Sequence, residues 1–504
     1  MQYFATKFKI FIVLFAMSPL LQAQTKSKVE IVGADLFEGQ VTPIGNSKKL
    51  SGNVVLKQEN TLMYCDSAIL YDDSNMVKAY SNVRINHNDS IRMDGNYLKY
   101  DGNSKHAFME GNVKMYDKSM TLTTSQLDFD MVNNVGYYLN KGLIISDKNN
   151  LTSQQGYYQS RTKNFFFKKN VVLTNPDYNM KSDTLMYNTV TKVSYFYGPT
   201  VIKSAKDKIV CENGWYDTKK EISQFSKNAL LFTENKILKA DSLFYDRKNN
   251  IGRAYRNLEL FDSIQKITLY GNLGVMNGKI KQTYVTQNPY GLMIMDKKDS
   301  MFLYADTLFL FQADKKLKQK EIIKAYRKVK IFKSDILGVC DSLVYAKSDS
   351  ILSMFSSPII WNGLNQITAD TIHFYINNSR LDSFHLRNNS FLISNEKGPH
   401  YNQVKGKNMK GILDSNNIKY LRVYGNGQSI YYAKEDSVNY IGINKIDCSE
   451  MEFYFANKKI SKGVFINSPE GFMYPLDELK PEELRLRGFI WREKDKPQRL
   501  YYQH

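Results

Sequence analysis

Five aspartates, Asp183, Asp241, Asp306, Asp341 and Asp370, are each followed directly by Ser or Thr. Carboxylates aligned on one face could cleave a polysaccharide, one acid protonating the leaving oxygen while another acts as base or nucleophile. That chemistry needs one unique constellation whose members titrate differently. These acids instead recur from copy to copy, so the expected role is structural: bonding to backbone or side chains at the start of a strand. No catalytic residue is assigned.

The other reactive residue types are equally unsuited to a site. The six histidines, His87, His106 and His373 among them, form no H-E-x-x-H pair, and no G-x-S-x-G, P-loop or dinucleotide fingerprint occurs. Cys65, Cys211, Cys340 and Cys448 are too few for a disulfide scaffold of 504 residues. Three of them precede an acid (Asp66, Glu212, Asp341) at equivalent places in distant copies, too far apart to be bridged. Free, mostly buried thiols are expected. No His or Cys pair has ligand spacing, so neither a metal nor a cofactor is expected.

The recurrence itself is the strongest signal. Ser125, Gln154, Asp183, Glu212, Asp241 and Tyr270 are each 29 residues apart, as are Asp341 and Asp370. A second marker agrees: Asn112, Asn170, Asn228 and Asn257 are separated by 58, 58 and 29 residues. Two markers with one period define a repeat of about thirteen units. Wider gaps around Asp306 place insertions near "TYVTQNPYG" and in "DKKLKQKEIIKAYRK". The stretch Lys315 to Lys328 reads as a solvated loop, or more sharply as a dock for lipid phosphates. The last copies are expected in "GKNMKGILDSNN" and "CSEMEFYFANKK".

Each copy alternates as strands do. Val113/Met115, Val171/Leu173, Ala229/Leu231 and Val329/Ile331 follow the Asn marker (Lys328 in the last case), and Leu185/Tyr187, Leu243/Tyr245 and Leu343/Tyr345 follow the acid. Turn chemistry lies between them, in "YDDSN", "YDGNS" and "DRKNN". The Asn marker is read as a turn residue tolerant of left-handed geometry. With 35 Tyr, 28 Phe and only 11 Pro, the composition also favours strand. The fold class is therefore all-β, an elongated repeat solenoid of stacked short strands, with two or three strands per 29 residues. The one predicted helix is "KPEELRLRG", with Pro481 at its start and Gly488 past its end.

Residues 1–23 read as a secretory signal peptide: Lys7 and Lys9, the run "IFIVLFAMSPLL" and cleavage after Ala23. No later stretch approaches 18 consecutive apolar residues, so no membrane-spanning helix is expected. The repeat array is placed at 24–465 and a C-terminal cap or tail at 466–504. The formal charge of +19 falls to +17 once the two lysines of the leader are removed. Such a surface suits an anionic partner or simply a well-solvated one; a secreted chain with its cations interleaved with Asp argues against nucleic acid.

The stretches "SGNVVLKQENTLMYCDSAILYDDSNMVKAYSNVRI" and "MDGNYLKYDGNSKHAFMEGNVKM" together resemble the OstA/LptA family of lipopolysaccharide transport proteins, in particular its long OstA-like members of Bacteroidetes type. The resemblance extends over about residues 30 to 465. It implies a β-jellyroll or β-taco, a periplasmic or outer-membrane-associated location, and carriage of lipopolysaccharide or lipooligosaccharide with its acyl chains inside. It further implies end-to-end joining to other β-jellyroll transport proteins, contact with a membrane surface, no nucleic acid and no enzymatic turnover. Under it, the stripe residues Val113, Val171, Leu185, Tyr187, Leu243, Tyr245, Leu308, Val329, Leu343, Tyr345, Ile372 and Phe374 would line the lipid groove. The roughly 40 residues after Ser461 are too few for a membrane barrel, which needs about 8 strands of about 9–11 residues. The alternatives are a structural or adhesive solenoid with a filled core and a polysaccharide-active enzyme.

Overall fold

A computed structural model describes residues 27–42, 45–117, 120–296, 299–378, 380–395, 398–414, 417–435, 439–457 and 459–498. The proposed signal peptide lies outside the described residues. Among these there are 36 β-strands and two single-turn 3-10 helices, Lys347–Asp349 and Glu493–Asp495. No helix of the described residues is long and apolar enough to cross a membrane. The chain divides into two compact units: residues up to Asp147 with Tyr157–Arg161, and Lys148–Gly156 with Thr162 onward.

Each unit is an antiparallel meander in which most strands pair with their neighbours in sequence. In the first, Gly45–Gln58, Thr61–Tyr71, Met76–His87, Ile91–Asp101, His106–Asp117 and Met120–Asp130 follow one another across the sheet. In the second, Asn164–Thr174, Tyr178–Asn188, Val193–Ser204, Lys208–Asp217, Ile222–Phe232, Lys236–Asp246 and Ile251–Asp262 do the same. The 29-residue period is thus one hairpin of two strands, with the acid marker on one strand and the Asn marker on the next.

The Asn markers and their Lys328 counterpart lie inside strands, not between them. At Ser81–Asn82, Lys169–Asn170, Lys227–Asn228, Arg256–Asn257 and Arg327–Lys328 both residues have left-handed φ, between 49° and 64°. Each pair forms a bulge: Tyr80 and Val83 oppose Tyr97 and Gly95, so two residues face one. Asn is favoured there because it pays less than other L-residues for that conformation. The acid is the single residue opposite. Asp66 accepts from the Asn82 amide at 2.7 Å, Asp35 from Asn53 at 2.9 Å and Asp241 from Asn257 at 3.0 Å. The acids bond within the sheet as structural residues do; Asp183, Asp241 and Asp341 sit at mid-strand corners, whereas Asp306 and Asp370 stand at a strand start, directly before Thr307–Phe311 and Thr371–Asn377.

The corner resets which face points inward. Buried positions step by four across the bulge (Ala79 to Val83, Phe225 to Ala229) and by three on the partner strand (Cys65 to Ala68, Ala240 to Leu243). Each of the long strands is thereby split into two arms that share one inner face.

Three further expectations change. Tyr270 is not the marker of its copy; Asn272 is, its backbone N–H donating to the Gln287 carbonyl at 3.2 Å opposite left-handed Gln287–Asn288. The insert is shorter than read, since Ile322–Phe332 is a strand and the exposed turn ends near Gln319. The segment from Pro481 forms successive turns, not a helix. It is held in that form by side chains, as described below.

Candidate functional site

The inner face is built from apolar residues at alternate positions. In the first unit it is closed. Leu50, Val54, Leu56, Met63, Val83, Ile85, Met93, Leu98, Met109, Val113 and Met115 are all buried. Polar contacts seal the tips: Tyr100 Oη donates to Gln58 Oε1, Gln58 Nε2 donates to the Gly102 carbonyl at 2.8 Å, and the Tyr158 hydroxyl donates to Asp117. Burial and the Asp117 carboxylate together hold the Tyr158 phenol far above its ordinary range.

In the second unit the strands from Tyr178 to Asp246 are arranged differently. Their corner residues Phe196, Cys211, Ala229, Ala240 and Leu243 are buried. Away from the corner, inward-facing Tyr187, Ile202, Ile209, Tyr216, Leu231, Leu238 and Tyr245 are only partly buried. A trough with an apolar wall results, its floor formed by the buried corner residues. Gly214 lies beneath the Phe196 ring, which a Cβ there would strike. At its margin Tyr178 meets Tyr216 with ring centroids 6.2 Å apart, and Arg247 lies 3.6 Å from Asp177, joining the tips of opposite arms. Burial, followed by the neighbouring Tyr216, raises the Tyr178 phenol well above its usual value.

The stripe residues named from sequence all point inward. Val113 lies in the closed core of the first unit, and Val171, Leu185, Leu243, Leu308, Val329, Leu343, Ile372 and Phe374 are buried in the second. Tyr187, Tyr245 and Tyr345 are partly buried. Tyr187 and Tyr245 belong to the trough. Sequence reasoning missed Ile202, Ile209, Tyr216 and Leu238, which precede or follow corners where the marker is Pro199, Glu212 or Asp241. The alternation was present, but counting only after selected markers left out the opposite arm.

Cys65, Cys211, Cys340 and Cys448 are free and buried, each at the last inward position before its corner. Burial pushes the first three thiols up to about 12 and raises the fourth. Among the described residues no group of three or more His, Cys, Asp or Glu could hold a metal ion.

Beyond the last strand, the C-terminal segment crosses the outer face of the sheet. Gln366 and Gln403, both buried, each grip its backbone twice. Gln366 Nε2 donates to the Ile490 carbonyl at 2.8 Å, and the Arg492 N–H donates to its Oε1 at 2.7 Å. Gln403 repeats this with the Leu484 carbonyl at 2.8 Å and the Leu486 N–H at 2.9 Å. Leu486 packs with Phe391, Ile393, Ile430, Tyr432 and Ile443, flanked by Phe489 and Trp491. The glutamine amides thus supply the pairing that a neighbouring strand would otherwise give.

The class defined by this geometry is an all-β antiparallel repeat with an inner apolar face, closed in one unit and partly open in the other. Residues 26–183 match the family model described as OstA-like protein. A solved structure similar to part of the chain is LptH of Pseudomonas aeruginosa, described as the LptA homologous periplasmic component of the conserved lipopolysaccharide transport device. It shares 14% identity over 21% of this chain and 82% of its own, with a TM-score of 0.21. No curated protein matches the chain.

Proposed function

We propose that the protein is a lipopolysaccharide-transport protein of the periplasm that shields acyl chains against the apolar inner face of its second unit. The observation that carries this reading is the row of partly buried apolar residues from Tyr187 to Tyr245. Exposed apolar surface costs about 25 cal/mol per Å², so a folded chain ordinarily closes such a row, as the first unit does. Each acyl CH₂ kept from water is worth about 0.8 kcal/mol, which makes a multi-chain lipid a stable occupant of the trough. A wall without a deep polar pocket binds such chains without fixing one register and lets them slide. The match of residues 26–183 to the OstA-like model supports the same reading.

In this reading the buried stripe residues Val171, Leu185, Leu243, Leu308, Val329, Leu343, Ile372 and Phe374 form the floor, and Tyr187 and Tyr245 touch the lipid. Edge strands at the ends of the chain, Leu36–Thr42 and Glu470–Tyr474, would accept strands of other β-jellyroll proteins. The protein has no catalytic turnover.

The test is in-cell photocrosslinking with a light-activated residue at Tyr187, Leu231 or Tyr245, and at Val113 and Lys248 as controls. Lipopolysaccharide adducts are expected at the first three alone. Adducts absent there in a folded, abundant protein would instead favour a structural scaffold.

A further inference from the structure

The outer face of the second unit carries a constellation that the inner trough does not use. Strands Ile351–Phe355, Thr371–Asn377, Arg380–Asn395 and Tyr401–Asp414 bring Ser353, His373, His385 and Lys410 into one cross-strand row, each directly opposite the next. Arg387 lies one pair along, opposite Thr371. A cavity of about 280 Å³ opens over these strands, lined by Ser353, His373, Tyr375 and Arg387 together with Val344 and Ile351, which pair with Ser353 and Tyr375.

Like charges set opposite one another across a sheet are destabilising, so Lys410 and Arg387 beside two imidazoles make a row that comes into conflict when the rings are protonated without a counter-anion. At the far end of the row the conflict is relieved, because Arg422 is bound by Glu450 at 2.8 Å and Glu452 at 3.6 Å. Around the cavity no such relief is built. The acid in the lining, Asp349, is engaged by Lys320 at 3.0 Å. Arg387 and Lys410 have no ion pair among the described residues. Each imidazole is oriented by a hydroxyl: Ser353 Oγ is 2.8 Å from Nδ1 of His373, and Tyr375 Oη is 3.3 Å from Nδ1 of His385.

We infer that this cavity is a binding site for a small organic oxyanion, a phosphate monoester of about monosaccharide size, held by Arg387, His373 and Ser353 with its body against Ile351 and Val344. Guanidinium and imidazolium N–H groups are the strong donors for such an anion, and the aliphatic wall suits a compact apolar face. The site lies on the opposite face of the sheet from the trough and stands whether or not the trough carries lipid.

Burial and then Arg387 lower the His373 pKa; burial, Lys410 and Arg387 lower that of His385. Both rings are therefore neutral at pH 7, and a bound anion favours their protonation. Affinity rises as pH falls. The groups facing the rings are Arg387, Lys410, Tyr375 and the Lys320–Asp349 pair, with Arg422, Glu450 and Glu452 beyond.

The experiment follows the histidine ring signals of the full chain by NMR while sulfate, glucose 6-phosphate, or phosphatidylcholine vesicles containing phosphatidic acid are added. Sulfate keeps its charge between pH 5.5 and 8, so a pH effect on it belongs to the protein. Saturable shifts of His373 and His385, larger than those of His106, are expected, with tighter sulfate binding at the lower pH. Arg387 is exposed, so R387Q should fold normally and weaken binding at least tenfold. A response to glucose 6-phosphate alone assigns a soluble ligand, and a response to vesicles assigns a lipid headgroup. Shifts no larger than those of His106, or unchanged in R387Q, would overturn the site.

Discussion

Asn257 donates its side-chain amide to Asp241 at 3.0 Å across a corner where Arg256 and Asn257 both adopt left-handed φ, at 58° and 49°. The same relationship links Asn82 with Asp66 and Asn389 with Asp370. A side-chain bond and a backbone preference therefore act at one point, and the corner fixes which residues of each arm face inward.

Replacing Asn82 by Val puts a β-branched residue at positive φ and removes the bond to Asp66. The expected loss is about 1–3 kcal/mol. Asn82→Gly, which keeps the backbone freedom and removes only an exposed bond, should cost well under half as much. Urea unfolding of the two variants gives the comparison.

At Gly411 an added Cβ would collide with the Phe384 ring, which lies flat over it in the core. Gly411→Ala should destabilise by about 1–3 kcal/mol through overpacking. Because the obstacle is one side chain, the pair Gly411→Ala with Phe384→Leu should recover part of the loss. Equal stabilities for the single and double variants would show that the crowding is relieved elsewhere.

The thiols supply a pH signature. Cys65, Cys211 and Cys340 are raised from 9.0 to about 12 in the folded chain, chiefly by burial. The unfolded chain therefore loses these protons first. The stability they contribute is complete below pH 9 and declines as pH rises through about 12. Native protein at pH 8 should leave these thiols unlabelled by an aqueous thiol reagent, while urea exposes them. Replacing the three by Ser or Ala should flatten the alkaline part of the stability profile.

Gln403→Ala strands a carbonyl and an N–H of the C-terminal segment against the sheet, a loss of about 1–3 kcal/mol per unsatisfied group. Limited proteolysis should then cut between Pro475 and Leu486 faster than in the parent. A chain ending at Pro475 exposes Phe391, Ile393, Ile430 and Tyr432, and should bind a hydrophobic dye that the full chain ignores.

Much of this architecture was legible from spacing alone. The 29-residue period, the inward direction of every stripe residue and the free thiols follow from alternation and from markers counted along the chain. The last copies were also placed correctly, at Gly406–Lys407 and Cys448–Ser449, where the inward step of three recurs. What spacing could not show is that Asn and Asp act within a strand. A residue tolerant of left-handed φ reads the same in a turn as in a bulge, and only the pairing partner distinguishes them. The markers failed at Tyr270 for a related reason: a two-residue shift moves the corner to Asn272 while preserving the alternation around it.

The outer-face cavity and the C-terminal segment were hidden for a different reason. Ser353, His373, His385 and Lys410 are 20, 12 and 25 residues apart, and only the strand register makes them neighbours. The sequence "KPEELRLRG" carries helix signals at both ends, yet Gln403, far upstream, claims its backbone at Leu484 and Leu486. Tertiary hydrogen bonds outweigh a local propensity of a few tenths of a kcal/mol per residue.

Neighbour-only pairing of the long strands has a consequence for how such a chain can vary over generations. In strand pairing a hairpin of about 29 residues meets only the hairpin before it and the one after it, so duplicating or deleting one leaves the remaining registers as they were. Length is therefore an adjustable quantity here, set in steps of one hairpin, without inventing a new fold.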